Sequence, residues 1–112
     1  MHKERLEQMV TMLRNLPPEK FDISDWQCGT SACAVGHACT SPVFKEQGLG
    51  LRCDFDGITP TYGVHDGWSA VEEFFELGMR DAEHLFYASE YSNRSLTKPS
   101  EVADRIAKFI TA

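Results

Sequence analysis

The spacing of apolar residues along the chain predicts a mainly helical, α+β fold. In four segments the apolar residues recur every three or four positions, with polar residues between them, and a fifth segment consists almost entirely of small residues. This spacing places the apolar side chains on one face of a helix. The predicted helices cover residues 3–16, 30–40, 67–77, about 80–88 and about 98–111. Pro17-Pro18 ends the first helix because proline lacks an amide donor, and Pro99 fits the first turn of the last.

Polar caps and apolar stripes define these helices further. Thr30 or Ser31 is the expected N-cap of the second helix. Asp66 and Thr97 are the expected caps of the third and the last, and Gly78 is expected to end the third. The stripes consist of Leu6, Met9, Val10, Leu13 and Leu16, then Trp68, Val71, Phe74 and Phe75, then Ala82, Leu85 and Phe86, and finally Val102, Ile106, Phe109 and Ile110.

One two-stranded β-hairpin is predicted near residues 49–62. Its first strand alternates apolar residues (Leu49, Leu51, Cys53 and Phe55) with glycine and charged residues, so one face is expected to be buried. Asp56-Gly57 is the expected two-residue turn because a type I′ turn needs positive φ at both positions. Pro60 is expected to make the second strand an edge strand.

The remaining segments are predicted as connections. Residues 42–47 form a short helical turn closed by Gly48, and residues 63–67 and 89–97 form loops. Residues 17–29 form an ordered loop whose Phe21, Ile23 and Trp26 dock on the core. The second helix is built almost entirely from small residues, so other elements can approach it closely, and we expect it at the centre of the fold.

Length and the apolar runs bound the class of protein. A chain of 112 residues is predicted to form a single globular domain, residues 1–112. No apolar run is long enough for a membrane span, and no signal-like apolar stretch follows the N-terminus. We therefore expect a cytoplasmic protein without membrane contact. Cys28, Cys33, Cys39 and Cys53 are then expected to be reduced thiols, most of them buried.

Charge favours a protein partner over nucleic acid. The formal net charge is −6, and residues 54–90 hold nine acidic residues against one basic residue, Arg80. Such a segment repels phosphates and suits a partner with a basic surface. A solvated, solubilising surface is the alternative. The candidate interaction residues are Glu72, Glu73, Glu76, Asp81 and Glu83. The aromatic residues beside them are possible anchors where the core does not use them, namely Trp68, Phe74, Phe75, Phe86 and Tyr87.

A second candidate site precedes the small-residue helix. A Gly-Thr-Ser turn that leads into a helix exposes amide groups and the positive end of the helix dipole, which suit an anion or a small ligand. The chain lacks the lysine and glycine spacing of a P-loop. The candidate ligand-binding residues are Trp26, Cys28, Gly29, Thr30 and Ser31.

A thiol or zinc site is a third hypothesis. Cys28, Cys33, His37 and Cys39 are ligand types that zinc prefers, and Cys53 is a further thiol. Their spacing is not that of a regular zinc finger, so we expect no metal and no cofactor. If the site is instead a catalytic thiol, Cys28 or Cys33 is the nucleophilic thiolate. His37, His65, Asp66 or His84 then supplies the general base or the group that orients it.

The sequence also resembles a group of small, uncharacterised proteins from bacteria and their phages. The resemblance covers most of the chain. It lies in Phe-Asp-Ile-Ser-Asp-Trp at 21–26, Cys-Gly-Thr-Ser-Ala-Cys-Ala-Val-Gly at 28–36, Phe-Phe-Glu-Leu-Gly at 74–78 and Ala-Glu-His-Leu-Phe at 82–86. It implies an accessory protein and carries over no catalytic residue. In the group, the position of His37 can hold an aromatic residue, which implies that His37 packs.

These observations lead to one expected function and two alternatives. We expect a non-enzymatic binding protein of a phage or bacterium that contacts a basic protein surface, in the manner of a host-takeover or anti-defence inhibitor. The first alternative is a small-molecule or nucleotide-binding protein that uses residues 28–31. The second is the thiol or zinc site.

Overall fold

The computed structural model describes residues 1–21, 23, 33–54, 57–91 and 97–111. Within them the chain forms six α-helices and one antiparallel sheet of three strands. The predicted α+β class is confirmed, and the predicted turn at 42–47 forms the additional helix. The helices are α1 (Lys3–Arg14), α2 (Ala34–Thr40), α3 (Pro42–Lys45), α4 (Gly67–Phe75), α5 (Met79–Phe86) and α6 (Pro99–Thr111). The strands are β1 (Leu49–Asp54), β2 (Gly57–Tyr62) and β3 (His65–Asp66).

The first and last helices pack against each other through their apolar stripes. The buried residues of this contact are Leu6, Met9, Leu13, Val102 and Ile106. The outer members of both stripes are only partly buried. At the start of α1, His2 Nδ1 accepts a hydrogen bond from the Arg5 amide at 3.3 Å and so caps the helix. The periodicity therefore predicted both helices and their inner faces correctly.

Helix α2 lies inside the fold, as its small residues predict. Every α2 residue from Ala34 to Cys39 except His37 is buried. Phe21 and Ile23 are also buried, which confirms two of the three side chains expected to dock from the preceding loop. The third, Trp26, lies outside the described residues.

The sheet confirms the hairpin and corrects its details. Asp54 pairs with Gly57, so Gly57 belongs to β2, and its predicted place within the turn is wrong. Its φ of +112° still uses the conformational freedom of glycine. Along β1, Leu49 is buried, whereas Cys53 is exposed because the strand runs out from the core. The expectation of one continuous buried face therefore does not hold for Cys53.

A third strand replaces part of the loop expected at 63–67. Tyr62 pairs with His65 across a turn in which Gly63 has a φ of +62°. The strand order makes β2 the middle strand, so the expectation that Pro60 marks an edge strand is wrong. Pairing with β3 involves only Thr61 and Tyr62, directly after the proline that lacks an N–H.

An aromatic cluster fixes α4 on the core. Phe44 of α3 meets Phe74 and Phe75 of α4 edge to face, with ring centroids 5.9 and 6.4 Å apart. All three rings are fully buried. Tyr62 of β2 packs edge to face on Phe74 at 5.1 Å. The opposite side of α4 is thereby turned outward.

The segment after α5 also packs on the core. Ala88–Glu90 form a 3₁₀ turn, and Tyr91 is buried with its hydroxyl donating to the Leu85 carbonyl at 2.6 Å. This corrects the expectation of a polar loop from residue 89, at least as far as Tyr91. Thr97 is buried just before α6, and Pro99 opens that helix as predicted.

Candidate functional site

The candidate interaction residues lie on α4, α5 and the turn between them. Glu73, Glu76 and Asp81 are exposed, and Glu72 and Glu83 are half-buried. Glu73 is about 100° around α4 from Glu72, and Asp81 is about 200° around α5 from Glu83. The structure therefore spreads the five carboxylates over different flanks of two helices and does not gather them at one point.

Two aromatic side chains join these helices. Trp68 in the first turn of α4 and Tyr87 at the end of α5 meet edge to face, with ring centroids 5.8 Å apart and planes at 85°. Tyr87 is 46% exposed, and Trp68 is partly buried. Of the aromatic residues considered as interface anchors, Phe74, Phe75 and Phe86 are buried in the core. Of these aromatic residues, Trp68 and Tyr87 are therefore the two that are at least partly exposed at the surface.

Each ring of this pair has a carboxylate one helical turn away. Glu72 follows Trp68 by four residues, and Glu83 precedes Tyr87 by four. Residues at this spacing are neighbours on a helix surface. We call Trp68, Glu72, Glu83 and Tyr87 the aromatic–acid site. Met79, one turn before Glu83, is 64% exposed and adds an apolar side chain beside it.

The end of α4 differs from the prediction. Gly78 was expected to end the helix, but Glu76 adopts the left-handed conformation there, with a φ of +53°. The amides of Glu76 and Leu77 both bond to the Glu72 carbonyl. This early turn buries Leu77. A left-handed conformation is unfavourable for a residue with a Cβ, so Glu76 is a strained surface residue.

The carboxylates on these helices are not neutralised from within the described part of the chain. The ion pairs within that part join Arg14 to Asp104, at 3.0 Å, and Arg52 to Asp66, also at 3.0 Å. A weaker contact of 3.9 Å joins His84 to Glu90. None involves an acidic residue from 72 to 83. Asp66, the predicted cap of α4, makes no side-chain cap bond because its carboxylate faces Arg52.

The second candidate site precedes α2 in the chain. Its five residues, Trp26 and residues 28–31, lie outside the described residues. The adjoining helix begins at Ala34, and its N-cap is Cys33, whose Sγ accepts from the Gly36 amide at 3.4 Å. The expectation that Thr30 or Ser31 caps α2 is therefore wrong.

Cys39 and Cys53 are free thiols. Cys33 and Cys39 are buried, and Cys53 is exposed on β1. Burial, together with the nearby Cys33, raises the pKa of the Cys39 thiol to about 12, so it is protonated at neutral pH. Among the described residues, no three His, Cys, Asp or Glu side chains come close enough to hold a metal ion.

Within the described ranges, the contacts of the histidines considered for catalysis do not include a cysteine. His37 Nε2 lies 2.6 Å from the Lys20 carbonyl, so that nitrogen carries the proton and donates it. This bond ties α2 to the segment after α1, in agreement with a packing role. His65 Nδ1 lies 2.9 Å from the Ser69 hydroxyl.

The sequence did not reveal the role of Arg105. Its guanidinium lies over the Tyr91 ring, 3.9 Å from the centroid, and donates to the carbonyls of His84 and Glu90 at 2.8 and 3.0 Å. It thereby fastens α6 to the end of α5. The position of Arg105 beside the apolar stripe of α6 was visible in the sequence, but its partners come from a distant segment.

The comparisons add no relative. No family model, no curated protein and no solved structure matches this chain. No helix in the described ranges has the length and apolar character needed to cross a membrane. The aromatic–acid site is thus interpreted from its own geometry and charge.

Proposed function

We propose that this protein acts by protein–protein contact, and that α4 and α5 meet a basic surface of the partner. The observation that best supports this proposal is the net charge of this helix pair. Between Gly67 and Phe86 there are five acidic residues and one basic residue, Arg80, so the pair has a net charge of −4. None of these carboxylates has an ion pair within the described chain.

The arrangement has an electrostatic cost that a basic partner would relieve. Glu72 and Glu73 are adjacent carboxylates near the end of α4, and Glu76 follows directly after the helix, so like charges repel one another there. A partner with lysine or arginine residues removes that repulsion on binding. It is also attracted over a distance, which raises the association rate. The helix pair therefore favours partners of one charge sign.

Exposed apolar side chains add the contact area that a charged surface lacks. Tyr87 and Met79 are 46% and 64% exposed, respectively, and both lie on α5 or at its end. Aromatic and methionine side chains are enriched at interface cores, with charged residues around them. A solubilising surface needs no such anchors, so their presence supports a binding role.

The resemblance to phage and bacterial proteins extends the proposal. For a phage-encoded protein, the basic partner is a host protein and the contact takes place in the host cytoplasm. Contact that covers a basic surface would inhibit whatever that surface binds. The proposed class is therefore a non-enzymatic host-takeover or anti-defence inhibitor.

The experiment compares two charge reversals on the same helices. The tagged protein is used to isolate a partner from bacterial lysate, and the affinity of the purified pair is measured by calorimetry at several salt concentrations. Glu72→Lys with Glu83→Lys changes the aromatic–acid site. Glu73→Lys with Asp81→Lys makes the same change of charge on other flanks and is the control.

The proposal predicts that the first pair of substitutions weakens binding by at least about tenfold, since it places two cations against a basic surface. The control pair is expected to change mainly the association rate. Affinity should fall as salt rises. Equal affinity of the wild type and the first variant, with no salt dependence, would exclude the proposed contact and leave the acidic residues a solubilising role.

A further inference from the structure

Tyr87 leaves aromatic surface available to a ligand. In an edge-to-face pair, one ring presents its edge to the face of the other, so the contact with Trp68 covers at most one face of the Tyr87 ring. Tyr87 is nearly half exposed despite this contact. In the described part of the chain, no cation lies over the Tyr87 ring.

The surroundings of this ring suit a cation more than a neutral group. The face of an aromatic ring carries negative potential and attracts ammonium or guanidinium groups. Glu83 lies one turn before Tyr87, and Glu72 one turn after Trp68, so carboxylates flank the pair on both helices. The aromatic rings make this more than a cluster of acids, because they add a flat surface that orients a bound group.

The protein itself shows which cation fits such a surface. The Arg105 guanidinium lies over the Tyr91 ring, 3.9 Å from the ring centroid, and donates hydrogen bonds to two carbonyls. Arg5 lies over Phe74 at 4.2 Å and donates to the Phe74 carbonyl at 2.7 Å. In both places a guanidinium combines contact with a ring and hydrogen bonds to acceptors near its edge.

We propose that the aromatic–acid site receives an arginine side chain of the partner. The guanidinium lies over the exposed Tyr87 ring and donates hydrogen bonds to Glu83, with Glu72 adding charge. Arginine is favoured over lysine because its planar group stacks on a ring and pairs with a carboxylate at the same time. This inference rests on the proposed function and names the group that the partner supplies.

The test uses short peptides as probes. A glycine peptide with two arginines is titrated into ¹⁵N-labelled protein, followed through the Trp68 indole N–H and the backbone amides. A lysine peptide supplies the same charge without the planar group, and a citrulline peptide supplies the shape without the charge. Tyr87→Leu removes the ring and keeps an apolar side chain, whereas Tyr87→Phe keeps the ring.

The proposal predicts that the arginine peptide binds most tightly and shifts the Trp68 indole signal. Tyr87→Leu should weaken this binding by about tenfold, and Tyr87→Phe by less than about twofold. Equal binding of the arginine and lysine peptides, unaffected by Tyr87→Leu, overturns the inference. In that case the proposed function still stands if the Glu72→Lys, Glu83→Lys variant loses its partner, and it fails as well if that variant does not.

Discussion

The ring of Tyr87 packs edge to face on the ring of Trp68, with 5.8 Å between their centroids. Tyr87 lies at the end of α5 and Trp68 near the start of α4, so this contact closes the turn of chain between them. It places an aromatic pair at the surface of the most acidic part of the protein. The binding proposal depends on this juxtaposition more than on the number of acidic residues.

The strained backbone of Glu76, between α4 and α5, leads to a prediction about stability. Glu76 has a φ of +53°, which glycine adopts without steric cost. Glu76→Gly should therefore raise the free energy of unfolding by about 0.5–1 kcal/mol, measured by urea denaturation. The control, Glu73→Gly in the interior of α4, should lower it by about 1 kcal/mol. Destabilisation by both substitutions would show that Glu76 makes a favourable contact that outweighs the strain.

The aromatic cluster behind α4 should be a major source of stability. Phe44 is fully buried against Phe74 and Phe75, although it belongs to a helix of only four residues. Phe44→Ala should lower the free energy of unfolding by about 3–5 kcal/mol because it leaves a cavity. Its exposed neighbour provides the control, since Val43→Ala should change it by less than about 0.5 kcal/mol. Similar effects of the two substitutions would mean that α3 is not packed as described.

The described thiols should differ sharply in reactivity. Cys53 is exposed, whereas Cys39 is buried with its pKa raised to about 12. Iodoacetamide at pH 8 should therefore modify Cys53 at least about tenfold faster than Cys39 in the native protein, because the thiolate is the reactive form. Peptide mass spectrometry locates the modified residue. Rapid modification of Cys39 would contradict its burial and revive the thiol hypothesis.

Stability should decrease at alkaline pH. Burial is the main cause that raises the pKa of the Cys39 thiol and of the Tyr91 hydroxyl, each to about 12 from ordinary values of 9.0 and 10.0. The folded state therefore keeps two protons that the unfolded chain releases. The contribution of these two groups to the free energy of unfolding is fully present below pH 9 and is lost as pH rises toward 12. The Cys39→Ala, Tyr91→Phe variant should show a shallower decrease in urea denaturation across this range. An unchanged dependence of the free energy of unfolding on pH in this variant would contradict the role of these two groups.

The sequence predicted the elements whose signals are local and repeated. The stripes of α1 and α6 repeat over several turns, so Leu6, Met9, Val102 and Ile106 were assigned to the core correctly. Element ends were less predictable, because single residues decide them. Gly78 had the better propensity to end α4, but the burial of Leu77 favours a turn at Glu76 instead.

The candidate site was predictable only in part, for a related reason. Charge alone singled out residues 72–83, whereas the sequence analysis placed Trp68 in the apolar stripe of the helix. Nothing in that periodicity links Trp68 to Tyr87, because their contact depends on how α4 and α5 pack in three dimensions. The start of α2 shows the same limit, since Cys33 caps it through a sulfur contact that propensities do not favour.

Hydrogen–deuterium exchange of the protein with and without its isolated partner tests the central claim most directly. The account predicts that the partner slows exchange in residues 67–87, which include α4, α5 and the aromatic–acid site. The surface of α6 should exchange at an unchanged rate. Protection confined to residues 26–33, or to α6, with none between 67 and 87, would contradict the account.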